Sequence, residues 1–385
     1  MRNLHHSLCG VIPPHVLRNI ADRGNAEARR DAQATLDHME DLSDARHSAF
    51  AAQALPVTRP NLKRRNVYDA RQTQILPGKL VRDEHRRRSN DVEVNEAYDG
   101  SGATYDFFAS VFGRNSVDGQ GLRIDSTVHY GRRFDNAMWT GRQMVYGDGD
   151  GQFFNRFTCA LDVIAHELTH GVTQYSAGLG YTGQTGAINE HISDAFGMMV
   201  KQFALGLSAG ESDWLIGAGL FGPAVQGKAI RSMAEPGTAY DDPLLGRDPQ
   251  PAHMKDYQHG KFDSGGVHIN SGIPNHAFYL AATALGGYTW EVLGRIWYAA
   301  LTMRLPGRLT FDDFAGITVN VAGELYGPRG GVQRAVQDAW AAVGLPVTPT
   351  RIPVARMAVP EGAVTTPPVA AVHGQAKWRN RPANN

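Results

Sequence analysis

The segment from Val163 to His170 reads Val-Ile-Ala-His-Glu-Leu-Thr-His, an almost wholly apolar run that carries two histidines and a glutamate in the order HExxH. On an α-helix, residues four apart lie one turn above each other, so His166 and His170 project from one face and can share a metal ion. Glu167 sits beside them without being aligned as a ligand. Zn²⁺ suits this set, because it accepts neutral imidazole and in hydrolytic sites keeps three protein ligands and one water. An adjacent carboxylate can take that water's proton. Two surface histidines on a helix would give the same pattern, so the rest of the chain has to supply a third ligand.

The segment Asn-Glu-His-Ile-Ser-Asp, from Asn189 to Asp194, supplies it. Glu190 lies 20 residues beyond His170, which leaves room for a tight turn and an antiparallel return, and Asp194 falls one helical turn further on the same face. Ala187, Ile188, Ile192, Ala195 and Phe196 mark a buried edge, where a carboxylate needs a partner. Zinc meets that need for Glu190. Asp194 and Asn189 are then placed to accept hydrogen bonds from the ligating imidazoles and fix their tautomers. His191 is read as pointing away.

At 385 residues the chain is long enough for two lobes with appendages. Lys and Arg (38) balance Asp and Glu (38), so no global field points to nucleic acid. No apolar run approaches the roughly 18 residues of a transmembrane helix. Two cysteines, Cys9 and Cys159, make no disulfide framework. The N-terminus lacks the pattern of a secretory signal, which predicts a cytoplasmic protein, with export by a non-classical route left open.

Residues 1–50 read as a small appended unit. Pro13-Pro14 opens a helix that Gly24 ends, a second helix runs from Asn25 to Met39, and the polar stretch Asp41 to Ala54 reads as a hinge or cleavage site. The unit is either an autoinhibitory prosegment or a mobile tail. From Pro56 to Tyr146, dense Gly, Asn and Asp punctuate β-rich runs at Ser126 to Tyr130 and Gln143 to Tyr146, with one helix from Glu93 to Phe112. Arg82 to Arg88 reads as a solvated loop, and Gly147 to Gly151 as a turn. The metal helix is expected over Phe157 to Tyr175, and the second helix from Ile188 to Phe203. A long loop with Arg231 and His268 follows, then helices over Asn275–Leu285, Thr289–Leu305, Phe311–Tyr326 and Val332–Val343. Thr289 and Thr310 are candidate N-caps. The expected division is 1–50 prosegment, 51–175 N-terminal α+β lobe with the zinc helix, 176–345 helical lobe, and 346–385 disordered tail.

In this order, HELTH, GAINEHISDAFG, IRSMAEP and DSGGVHINSG resemble the thermolysin family of neutral zinc metalloproteases, over roughly Val67 to Leu345. The competing HExxHxxGxxH class is excluded, since Thr173 and Ser176 stand where its Gly and third His belong. The resemblance implies an α+β protein with a mixed N-terminal lobe, a mainly helical C-terminal lobe and a cleft floored by the HELTH helix. It further implies that Glu167 is the general base, that Tyr181 and His268 stabilise the tetrahedral intermediate, that Asp263 orients His268, and that Arg231 binds a substrate carbonyl. Asn136 and Ala137 match the edge strand that pairs with substrate backbone. Phe154, Phe157, Val163, Ile216 and Ile230 match the pocket after the scissile bond, favouring cleavage before Leu, Phe, Ile or Val; ordinary core packing is the competing reading.

Two departures stand out. At the family's double calcium site this chain has Asp162, Lys201, Glu211, Asp213, Leu215 and Ala218, so that site is expected to be absent, with Lys201 paired to Asp162 or Asp213. The front end, Cys9-Gly-Val-Ile-Pro-Pro14, resembles the protealysin-like branch, which implies an inactive precursor that cleaves itself between about Ser43 and Pro60. Val11, Ile12 and Leu17 are expected to fill the substrate cleft, in preference to a Cys9 thiolate on the metal. The function implied is a zinc endopeptidase zymogen acting on peptides; the rival is a catalytically silent binding module of the same fold.

Overall fold

The computed structural model describes residues 10–51, 62–303 and 305–349, the side chains of 44–51 excepted. Cys9, the second half of the expected maturation junction and nearly all of the expected tail lie outside them.

The N-terminal unit is a helical hairpin, α1 (Pro14–Arg23) and α2 (Ala26–Ala51). Pro14 at the first helical position has no N–H to leave unsatisfied, and Gly24 caps the end with its N–H on Ile20. Asn25 then accepts from the backbone N–H of both Glu27 and Ala28. The expected hinge at Asp41 is corrected: α2 continues through Ala51. Polar, alanine-rich composition signals exposure, but it is also a composition of high helix propensity. The hairpin buries Val11, Ile12, Val16, Leu17, Ile20, Met39 and Leu42 in a core continuous with the rest of the molecule.

Next come β1 (Arg65–Asp69), β2 (Lys79–Arg82), α3 (Val92–Phe112), β3 (Ile124–Val128), β4 (Ala137–Trp139) and β5 (Met144–Tyr146). Five strands form one mixed sheet in the order β2-β1-β3-β5-β4. β1 pairs parallel with β3 and β3 with β5, while β2 and β4 are antiparallel edges. β1 and β2 escaped the sequence reading because their exposed faces are charged and only Val67 of β1 is fully buried. Arg82 also departs from the solvated loop expected of it. It is buried on β2, its guanidinium 3.9 Å from the Tyr98 ring centroid and donating to Asn95 at 2.6 Å.

After a single 3₁₀ turn at Phe157–Cys159, α4 (Leu161–Ser176) and α5 (Gly183–Leu205) form an antiparallel pair. They cross closely: a Cβ on Gly197 would lie 2.7 Å from the Asp162 carbonyl. α5 opens before the expected Ile188 because tertiary bonds extend it. Thr185 exchanges hydrogen bonds with the Leu309 backbone, and Gln184 accepts from the Phe311 N–H.

Two-residue strands β6 (Leu215–Ile216), β7 (Arg231–Ser232), β8 (Asp241–Asp242) and β9 (Gly246–Arg247) punctuate the connection to α6 (Asp263–Asn270), α7 (Gly272–Leu285), α8 (Leu293–Thr302), α9 (Phe311–Tyr326) and α10 (Gly331–Ala342). Thr310 forms a reciprocal capping box with Asp313. Thr289 does not cap α8. It is buried, Trp290 beside it is folded into the core, and regular helix starts at Leu293. α8 also stops short of Leu305, the residue before Pro306, which disfavours helical backbone there. The architecture is therefore a mixed α/β N-terminal region against a helical C-terminal region, with α4 and α5 between them.

Candidate metal centre

His166 and His170, one turn apart on α4, and Glu190 on α5 converge in a fully buried cluster. The two Nε2 atoms are 3.1 Å apart, His170 Nε2 is 3.3 Å from Glu190 Oε1, and His166 Nε2 is 3.5 Å from Glu190 Oε2. A tetrahedral Zn²⁺ with bonds of roughly 2.0–2.1 Å separates its ligand atoms by about 3.3 Å, so the trio fits that ion without rearrangement. The charge states fit as well. Burial holds His166 neutral, its pKa lowered to about 4 despite Asp194. Glu190 is kept ionised against its own burial chiefly by His268 and then His170, which push it well below the carboxylate range.

Each imidazole is held from behind. His166 Nδ1 lies 2.8 Å from Asp194 Oδ1, and His170 Nδ1 lies 3.0 Å from Asn189 Oδ1 and 3.1 Å from Ser193 Oγ. With Nδ1–H donating, Nε2 keeps its lone pair for the metal. Asp194 also receives both arms of Arg231, Nε at 2.9 Å and Nη2 at 2.8 Å, and Asn275 Nδ2 at 2.8 Å. Arg231 and His166 outweigh the cost of burial and hold its carboxyl far below the usual range.

Around this centre the structure gathers the remaining candidates. Glu167 Oε2 accepts the Trp139 N–H of edge strand β4 at 2.9 Å. Tyr181 donates to Glu190 and lies 3.1 Å from His268 Nε2. His268 is not in an open loop as expected. A left-handed run over Asp263, Ser264, Gly265 and Gly266 turns the chain tightly, so that Asp263 accepts the His268 N–H at 2.8 Å and faces its Nδ1 at 2.6 Å. Burial opposes charge on that ring, but Asp263 and Glu190 prevail and raise it to about 9. Phe154, Phe157, Val163, Ile216 and Ile230 are all buried; Ile230 N–H donates to Ile216, and the Phe154 and Phe157 rings are 5.9 Å apart.

The N-terminal segment lies across this centre. Val11 N–H donates to the Ala137 carbonyl at 3.2 Å, along the open edge of β4. Ile12 gives its N–H to Asn136 Oδ1 at 3.0 Å and takes Asn136 Nδ2 on its carbonyl at 3.1 Å. Arg231 Nη1 donates to the Val11 carbonyl at 3.0 Å. Val11 and Ile12 are buried, as are the site residues beneath them.

The profile of the "Thermolysin metallopeptidase, catalytic domain" matches residues 44–174, that of its "alpha-helical domain" matches 177–345, and that of the "Protealysin propeptide" matches 9–48. An extracellular metalloprotease of Pectobacterium carotovorum subsp. carotovorum is 51% identical over 88% of this chain and 97% of its own length. The chain belongs to the thermolysin metallopeptidase family. Protease PrtS of a Photorhabdus species is 45% identical, covering 88% of this chain and 92% of its own. The solved precursor of protealysin, a metalloproteinase from Serratia proteamaculans, superposes with a TM-score of 0.80 at 51% identity, covering 88% of this chain and 99% of that one. As a thermolysin-like, zinc-dependent metalloendopeptidase carrying a protealysin-type propeptide, the chain has the enzyme class, fold and branch expected from its motifs. The expected cytoplasmic location is overturned. Relatives from Pectobacterium and Serratia marcescens are named extracellular, which points to secretion, and the expectation had rested only on a missing signal pattern. An absent pattern fixes no compartment.

Sequence reasoning missed Ser193 and the Trp139 N–H. Ser193 lies four residues after Asn189 on the same helical face, so spacing alone could have found it. A backbone donor on an edge strand leaves no letter in the sequence. Among the described residues a second cluster, Asp91, Glu93 and His129, also comes together. There His129 is itself the cation, between Asp148 at 2.8 Å and Asp91 at 2.9 Å.

Proposed function

We propose that the protein is a secreted endopeptidase precursor that cleaves before bulky apolar residues, with Glu167 as general base and its own N-terminal segment as inhibitor. The observation that carries this reading is the posture of Gly10 to Ile12. The backbone of this bend is held by the edge of β4, by Asn136 and by Arg231, the same Arg231 whose fork grips the Asp194 that holds His166. A peptide substrate would use the same bonds.

Zinc, when bound, supplies a Lewis acid for the scissile carbonyl and acidifies a water. Glu167, pinned by Trp139, takes the proton of the attacking water and returns it to the leaving amine. Tyr181 and His268 aim O–H and N–H donors at the carbonyl oxygen as it gains charge, and Asp263 keeps His268 turned and protonated for that task. Arg231, its fork fixed on Asp194, holds the carbonyl of the residue after the scissile bond. The buried side chains of Phe154, Phe157, Val163, Ile216 and Ile230 favour an apolar side chain at that residue. The prosegment, residues 1–50, blocks this cleft until it is cut away.

The test compares purified full-length protein with its Glu167→Ala variant. The parent is expected to shorten itself, to cleave casein and to hold about one zinc per chain. The variant should keep the zinc and do neither. If both remain full-length and inert, the fold serves a silent binding module instead.

A further inference from the structure

We propose that Trp297, His191 and Asn275 form a directional hydrogen-bond chain that positions Asp194, and through it both the His166 ring and the Arg231 guanidinium. Trp297 Nε1 donates to His191 Nε2 at 2.8 Å, His191 Nδ1 meets Asn275 Oδ1 at 2.8 Å, and Asn275 Nδ2 donates to Asp194 Oδ2 at 2.8 Å. All four side chains are buried. They come from α8, α5, α7 and α5 in turn, so the chain ties three helices to the metal centre.

Direction comes from the first member. An indole nitrogen can only donate. His191 Nε2 must therefore accept, which puts the ring proton on Nδ1, and that proton must go to an oxygen of Asn275. The Asn275 amide is thereby oriented with its NH₂ toward Asp194. Asp194 ends with four donors on two oxygens: His166 and Arg231 Nη2 on Oδ1, Arg231 Nε and Asn275 on Oδ2. Those four fill its acceptor positions and leave its plane no freedom.

Remove the indole N–H, and His191 can shift its proton to Nε2. Its bare Nδ1 would then face the Asn275 oxygen, and an amide flip to relieve that would turn the same oxygen onto the Asp194 carboxylate. Either outcome loosens the group that fixes His166 and Arg231. His191 thus does chemical positioning from the far side of α5, one residue from Glu190 and aimed away from it.

The proposal rests on His166 being a zinc ligand, and the test separates the two. Zinc transfer to a chromogenic chelator is timed on zinc-loaded full-length protein, and kcat and KM are measured after self-processing, for the parent, Trp297→Phe, His191→Phe and His191→Gln. Trp297→Phe and His191→Phe are expected to release zinc on the order of 10-fold faster, to lose kcat as the His166 ring loosens, and to raise KM as Arg231 loses its fixed fork. His191→Gln can accept through Oε1 and donate through Nε2, so it should stay near the parent. If His191→Phe does not fold, Trp297→Phe, which keeps an aromatic ring, carries the test. Folded Trp297→Phe with parental zinc transfer and kcat overturns the proposal, as does His191→Gln behaving like His191→Phe. A parent that holds no zinc overturns the site reading and this proposal with it.

Discussion

Asp194 shows how much one buried carboxylate can organise. It compensates the fully buried Arg231, turns the His166 ring and receives Asn275, so its removal cannot act on one function alone. Asp194→Ala should cost about 3–5 kcal/mol of unfolding free energy, since it strands a buried guanidinium. Urea unfolding of the zinc-free protein would measure this apart from the metal. His129 makes a different kind of demand. Hydrogen bonding to Asp148 outweighs burial, and Asp91 adds to it, raising its pKa to about 10. A raised imidazole stabilises the fold in full below its unfolded pKa of about 6.5, and that contribution declines to nothing as pH climbs through the folded value. Unfolding midpoints should therefore fall between pH 7 and pH 10, and His129→Gln should flatten that slope. A variant as pH-sensitive as the parent would refute the assignment.

Edge strand β4 is the element on which the cleft turns. One side pairs with β5, and the other presents the Ala137 carbonyl and the Trp139 N–H, taken up by Val11 and Glu167. Ile12, buried over this edge, is held by backbone and by Asn136, so a charge there must be desolvated without a partner. Ile12→Asp should make the unprocessed chain hydrolyse a short fluorogenic peptide faster than an unprocessed parent; equal initial rates would show that the segment does not gate the site. Elements like these differ in how readily the sequence discloses them. Helices with a cap and a clear apolar face, such as α1, α3 and α9, were legible to within a few residues. The pairs His166 with His170 and Glu190 with Asp194 were legible because each is one helical turn apart, and the apolar neighbours of Glu190 marked it as buried. β1 was not, since its charged flanks hide the pleat, and neither was the end of α2, where polarity and helix propensity point opposite ways. Asn275 and Trp297 lie 81 and 103 residues beyond Asp194, and only the packing of α7 and α8 on α5 brings the chain from Trp297 to Asp194 together.

For the molecule as a whole, two regions joined by α4 and α5 must hold a cleft open to substrate and still stay together. Where the family resemblance implied a double calcium site, Lys201 occupies the ground. Its Nζ lies 3.3 Å from Asp162, 2.8 Å from Asp213 and 3.0 Å from the Leu215 carbonyl, tying α5 to the start of α4 and to β6. Burial works against that ammonium, yet Asp162 and Asp213 raise its pKa, so it stays charged. A fixed cation paired with both Asp162 and Asp213 performs the crosslink itself and opposes a second cation there. The unfolding midpoint of the zinc-loaded protein should accordingly not move when calcium is added. Lys201→Glu would remove the internal cation and add a third carboxylate beside Asp162 and Asp213, so this variant should be less stable than the parent without calcium and regain stability as calcium is titrated. A calcium-dependent midpoint in the parent would mean that the ion binds despite Lys201, and the crosslink would then be an addition to the metal site, with both holding the junction.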